Sequence, residues 1–224
     1  MNYRNVKISQ DARRESMIIE LCGALFSSIF GCITIFSKKE PLFYRIIFFA
    51  MLSCLMGNVY TVLYNMLWQA DGTGFHVGYL GYIGMFLFLH SSYYGAINSL
   101  ADGGQAEFKK YRIIAVVVAS VFFIGSVLML FSFQKAPWMY IIVIPMGFTL
   151  YFAMKLLIIP DVDLGIIKVM RPYNALIVCL CISMILRILS KSGSVLETIS
   201  SICTGILLAL CIPVAGNGVK KWFI

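Results

Sequence analysis

Charge is what this chain of 224 residues has little of: Asp, Glu, Lys and Arg make up 12% of it, against about 25% in an ordinary soluble domain. So few charges cannot cover a water-facing surface. Disorder is excluded for the opposite reason, because 60% of the residues are apolar. Gly 18 and Pro 6 exclude collagen-like and low-complexity classes. There are 2 histidines, too few for the clustered ligands of a membrane metalloenzyme. Of the 7 cysteines none lies in a loop and no Cys-x-x-Cys pair occurs, so a disulfide framework is excluded. Cys179 and Cys181 point to different faces of a helix. No metal site and no cofactor is expected. A retinal Schiff base needs a lysine mid-membrane in the last apolar run, which has none.

What the chain does have is long apolar runs, with a mean hydropathy of +0.88. A hydrocarbon core of about 30 Å takes about 20 apolar helical residues to cross. Seven runs approach or exceed that length: Met17–Phe36, Phe43–Trp68, His76–Leu100, Ile113–Phe133, Trp138–Pro160, Tyr173–Ser190 and Val195–Ala215. They are continuously apolar over about twice the length of a barrel strand and do not alternate. The expectation is all-α: a polytopic integral membrane bundle of seven transmembrane helices spanning 17–215, with a polar N-terminal tail at 1–16 and a short cytoplasmic tail at 216–224. The tail at 1–16 precedes the first apolar run without a cleavage signal, so the first helix is expected to remain.

Orientation follows from the basic residues. One side of the membrane takes Arg4, Lys7, Arg13, Arg14, Lys135, Arg187 and Lys191. The other takes the remaining 11 of the 18. The N-terminus is therefore expected outside and the C-terminus in the cytoplasm, with Trp68 and Trp138 at the outer interface. A net charge of +8 reflects this clustering at helix ends and not a nucleic-acid partner. Membrane lipids are the expected surroundings, in a bacterial cytoplasmic membrane.

Helices associate in lipid through close backbone approach and polar contacts. Small residues recur at four-residue spacing in Gly23/Ser27/Gly31, Ser53/Gly57/Thr61 and Ser201/Gly205/Ala209, which predicts tight packing of the first, second and last helices. The third opens with Gly72, Gly74, Gly78, Gly81 and Gly84, and either packs very closely there or lines a cavity. Pro145 and Pro213 fall inside spans and predict kinks.

Strongly polar groups at membrane depth are functional candidates. Asn58, Thr61 and Asn65 share one face of the second helix. Tyr82, Phe86, His90 and Tyr94 share one face of the third, followed by Asn98. Together they form an expected ligand-binding strip between these two helices, for a small amphipathic molecule or a lipid. Glu20 and Arg187, each about a turn from the outer end of its span, are a candidate intramembrane ion pair, or else both snorkel to the headgroups.

Two resemblances attach to these residues. Phe86–Leu87–Phe88–Leu89–His90–Ser91–Ser92–Tyr93 resembles the F-x-x-x-H-x-x-Y segment of the lysoplasmalogenase-like membrane family, and Ser53 to Asn58 resembles its preceding Ser-x-x-Gly-Asp stretch with one residue inserted. The resemblance implies hydrolysis of a vinyl-ether lipid by intramembrane aspartates in an eight-helix fold. Here Asn58 stands where the first aspartate would, the run Val195–Ala215 has no Ser-Asp pair, and no eighth run exists. An amide is no general acid or base. Gly78–Tyr79–Leu80–Gly81–Tyr82–Ile83–Gly84 resembles the start of a helix in bacterial multi-helix sensory modules. That implies a sensory or accessory role read by a separate cytoplasmic signalling partner. A small-solute carrier, built as two three-helix repeats joined by a linker helix, is the third reading.

Overall fold

The computed structural model describes residues 3–37, 40–68, 77–94, 106–160, 166–191 and 193–222. Seven α-helices and a single 3-10 turn, Ala106–Phe108, account for the regular structure among them. The helices are α1 Tyr3–Ser37, α2 Leu42–Trp68, α3 Gly78–Ser92, α4 Lys109–Ser132, α5 Pro137–Ile158, α6 Ile166–Leu189 and α7 Val195–Trp222. All except α3 are long and apolar enough to cross a membrane. The described part of α3 has 15 residues, about 22 Å at 1.5 Å per residue. Its expected continuation through Leu100, with Asn98, lies outside the described residues. So do His76, Gly72 and Gly74, and the side chains of Trp68 and of the N-terminal tail's basic residues.

Two helices begin earlier than their apolar runs. α1 starts at Tyr3, not Met17, because no glycine or proline interrupts the chain before Gly23. α6 starts at Ile166 and runs through Pro172, which lies inside the helix and forfeits one bond of its ladder. The start of α1 is polar, which hydropathy alone discounts, whereas that of α6 mixes Ile166, Ile167, Val169 and Met170 with Lys168 and Arg171.

Large apolar side chains lie open around the bundle. Phe36 is 85% exposed, Phe131 76% and Leu67 70%. Water penalises patches of this kind, whereas hydrocarbon chains accept them, as the composition requires.

Six helices close a ring in which each packs on the next: α1 on α2, α2 on α3, α3 on α5, α5 on α6, α6 on α7, and α7 back on α1. α4 stands outside it and leans on α5. In its most apolar stretch only 17% of residues are buried, against 61% in α5. The ring is filled by Met51, Cys54, Met85, Phe86, Leu89, Met146, Cys181, Cys211 and their neighbours.

The small-residue stripes are paired in space. Gly23 of α1 meets the backbone of Gly205 in α7, and a Cβ at either position would collide with the other helix. In α2 and α3, a Cβ on Gly81 would sit 2.5 Å from the Cα of Gly57. Ser53 donates across the same seam to the carbonyl of Gly81 at 3.1 Å. The glycines of α3 thus serve close packing against α2.

The α4–α5 turn closes with a Schellman arrangement, in which the N–H of Lys135 donates to Leu130 O at 2.9 Å and that of Gln134 to Phe131 O at 3.0 Å. Gln134 sits in left-handed backbone at φ 48. The Lys135 ammonium donates to the carbonyl of Ser190 at 2.9 Å, tying this turn to the end of α6. Partial burial holds that ammonium below its ordinary pKa.

Gly81→Leu is expected to cost about 3 kcal/mol, because α2 cannot retreat without breaking its other contacts. Gly125→Ala, where an added Cβ meets nothing within 4 Å, is expected to gain up to about 1 kcal/mol. Gln134→Gly is expected to gain about 1 kcal/mol by removing the left-handed penalty. Thermal unfolding in detergent checks all three, and a destabilised Gly125→Ala or a neutral Gly81→Leu contradicts the packing described.

Candidate functional site

The expected polar strip divides into two places on opposite sides of α3. The first is a buried network. Glu20 of α1 has no exposed surface, and its carboxylate pairs with Nε of Arg187 in α6, whose side chain is 19% exposed. The Tyr82 hydroxyl of α3 lies 3.0 Å from Glu20 Oε2 and 2.7 Å from Asn58 Oδ1 of α2. A phenol has one proton, so these two acceptors share it. Asn58 in turn donates Nδ2 to the carbonyl of Cys54 at 3.0 Å. The Arg187 guanidinium stands 5.5 Å from the centre of the Tyr82 ring, within cation–π range. Ser183 of α6 donates to Ser200 O at 3.0 Å and meets the Thr204 hydroxyl of α7 at 2.8 Å. Residues of four helices, α1, α2, α3 and α6, thus meet in one network around the Glu20 carboxylate.

The remaining α2 residues of the strip are spent locally. Thr61 donates to Gly57 O at 2.8 Å, and Asn65 donates to Thr61 O at 2.7 Å. Asn65 also borders a small cavity of about 260 Å³ beside Met17 and Met66. Phe86 is buried in the core, and its carbonyl accepts from Thr149 of α5 at 3.1 Å. The α2–α3 seam that was expected to hold a ligand is closed by Gly57 and Gly81.

The second place is a cavity of about 720 Å³ on the far face of α3, bounded by α4 and α5. It exists because α4 packs on α5 and leaves α3 largely uncovered. His90 and Tyr94 line it from α3, Ser120 and Phe123 from α4, and Phe148 and Phe152 from α5. Gly147 opens the α5 wall. The His90 ring lies 5.3 Å from Phe152, 5.7 Å from Phe148 and 6.2 Å from Tyr94 between ring centres. Its Nδ1 is buried without a hydrogen-bond partner among the described residues. Lys155, one turn beyond Tyr151 and Phe152, holds its ammonium 5.4 Å from the Phe152 ring.

Sequence reasoning passed over the α4 and α5 walls. Their aromatic residues sit in continuously apolar runs, where a lipid-facing and a cavity-facing phenylalanine look alike. Gly147 and Ser120, small residues interrupting such runs, were the available signal. A second buried cluster was also missed. Tyr93 donates to Asn174 Oδ1 of α6 at 2.9 Å, joining two buried residues. Counting α6 from Tyr173 puts Asn174 at the membrane edge, whereas the real start at Ile166 carries it inside.

Among the described residues no three His, Cys, Asp or Glu side chains converge as metal ligands would. No family model, curated protein or solved structure gives a significant match to the chain.

Removing either charge of the Glu20–Arg187 pair leaves the other buried and uncompensated, which costs about 3 kcal/mol or more. Glu20→Gln and Arg187→Gln are each expected to lose that much stability, and the double variant clearly less than their sum. A double-mutant cycle by thermal or denaturant unfolding in detergent measures it, and strict additivity would show that the two side chains do not interact.

Proposed function

We propose that this chain is a seven-span integral membrane protein of a bacterial cytoplasmic membrane that binds a small amphipathic ligand or a lipid, as a sensory or accessory component. Its N-terminus lies outside and its C-terminus in the cytoplasm, with α3 making the third crossing. The observation that carries the reading is the cavity of about 720 Å³ under His90. That volume is in the range of small-molecule sites, about 300–1,000 Å³, and its walls are apolar with one imidazole among them. An acyl chain can enter from the bilayer at the exposed edge of Tyr94, which is 68% exposed.

A second reading, a small-solute carrier, draws support from the ring. α1–α2–α3 and α5–α6–α7 follow each other around it with α4 as the outlying connector, and the α3–α5 seam answers the α7–α1 seam. That is the arrangement expected of two three-helix repeats in parallel. The packed methionines and cysteines at the ring's centre favour the ligand-binding reading over a solute path.

Lipid mass spectrometry of the purified protein tests the proposal. Ser120→Trp, which fills the cavity from the peripheral helix, is expected to lower the co-purifying amphiphile several-fold, while Ser120→Ala retains it. Equal retention in Ser120→Trp would overturn the binding reading. A fluorescent protein fused after Ile224 is expected to fluoresce, as it does only in the cytoplasm. A dark but exported fusion would reverse the orientation.

A further inference from the structure

The cavity wall specifies more than grease. Of its 12 lining residues, 5 are Phe or Tyr and a sixth is His90, in a chain that is 14% aromatic. A plain acyl chain needs no such enrichment, because aliphatic walls pack against it equally well. Flat faces around a cavity match a flat ligand, since rings gain from offset or edge-on contact beyond area alone. Among the described residues no Lys, Arg, Asp or Glu lines the cavity; the Lys155 ammonium, 5.4 Å from the Phe152 ring, is not part of its wall, so an ionic headgroup would be desolvated there without a counter-charge in the wall. The matching headgroup is neutral.

His90 supplies the polar requirement. A neutral imidazole always carries one N–H. Only Nδ1 of the two ring nitrogens is walled off without a partner. A buried N–H without an acceptor is the costlier orphan, so the proton belongs on Nε2, the other nitrogen of a ring that lines the cavity. The surrounding rings of Phe148, Phe152 and Tyr94 offer it no carbonyl. Ser120 lines the cavity from α4, and the phenols Tyr94 and Tyr151 line it as well. Donors on two walls suit a molecule with acceptors at two ends.

Resting on the ligand-binding reading above, we propose that the cavity holds the head of a neutral, planar, dicarbonyl lipid of the isoprenoid-quinone class. The His90 Nε2–H donates to one carbonyl oxygen, and the tail leaves along the exposed side of α4 into the bilayer.

The test titrates the purified full chain in detergent with a short-tailed menaquinone, and in parallel with oleic acid and lysophosphatidylcholine. Retained ligand is read after gel filtration. Wild type is expected to retain the quinone in preference to both acyl probes. His90→Phe keeps the ring volume and removes the donor, and is expected to weaken quinone retention about tenfold, the scale of one buried hydrogen bond. His90→Gln, which restores a donor, recovers most of it. Unchanged melting of both variants shows that the fold is retained. Quinone retention unaffected by His90→Phe overturns the inference, as does retention of the acyl probes alone. In the latter case, loss of the acyl probes in Ser120→Trp keeps the ligand-binding reading standing. If no probe is retained and no endogenous lipid co-purifies, both fall.

Discussion

A carboxylate without exposed surface has to be neutralised where it sits, and in this bundle that requirement organises one half of the molecule. Glu20 is held by Arg187 and approached by Tyr82, which also reaches Asn58. The four residues come from α6, α1, α3 and α2. Helices that would otherwise be free to slide in a uniformly apolar solvent are thereby placed in one register. Hydrocarbon offers no hydrophobic incentive for helix to meet helix. A buried pair, expensive when broken and fully partnered when formed, supplies specificity that grease cannot.

Close backbone approach completes that register. The Gly23–Gly205 and Gly57–Gly81 crossings bring α1 to α7 and α2 to α3 at distances no side chain would permit. Both flank the ion-pair network, so polar bonds and glycine seams support each other. At a second level, Tyr93, just past the end of α3, and Asn174 of α6 repeat the device in neutral form. Between the two polar levels the ring is filled with sulfur-containing and aliphatic side chains.

With six helices locked into a ring, α4 is left over, and its position generates the feature of functional interest. A helix that packs on α5 and barely on α3 leaves a gap. The gap is lined by whatever those faces carry: aromatic rings, two of them phenols, one imidazole and one serine. The protein thus separates its polar residues by task. Asn58 and Tyr82 are committed to structure, while His90 faces space that another molecule can fill.

Much of the architecture was legible in the residues. Continuous apolar runs marked the helices, because a bilayer demands internal backbone satisfaction over a set length. Stripes of glycine and serine marked the faces that pack closely. Glu20 and Arg187 stood out as two opposite charges at similar depth, tolerable either as a pair or by snorkelling to the headgroups. What could not be read was which faces meet. Asn58 and His90 both lie near mid-span on neighbouring helices, yet they point to opposite sides of α3. Helical phase shows which residues of one helix share a face, but not the neighbour that covers it. The extents of α1 and α6 were obscured for other reasons: the first turns of α1 are polar, so that helix formation there depends on the absence of breakers and not on hydropathy, and Pro172 reads as a boundary although α6 runs through it. By itself the sequence determined the membrane setting, the helical class, the close-packing glycines and the candidate charges, since each follows from local composition and spacing. Only the tertiary structure decided that α4 stands apart and that His90 opens onto the resulting cavity. Packing order around a ring is a long-range outcome that no single helix encodes.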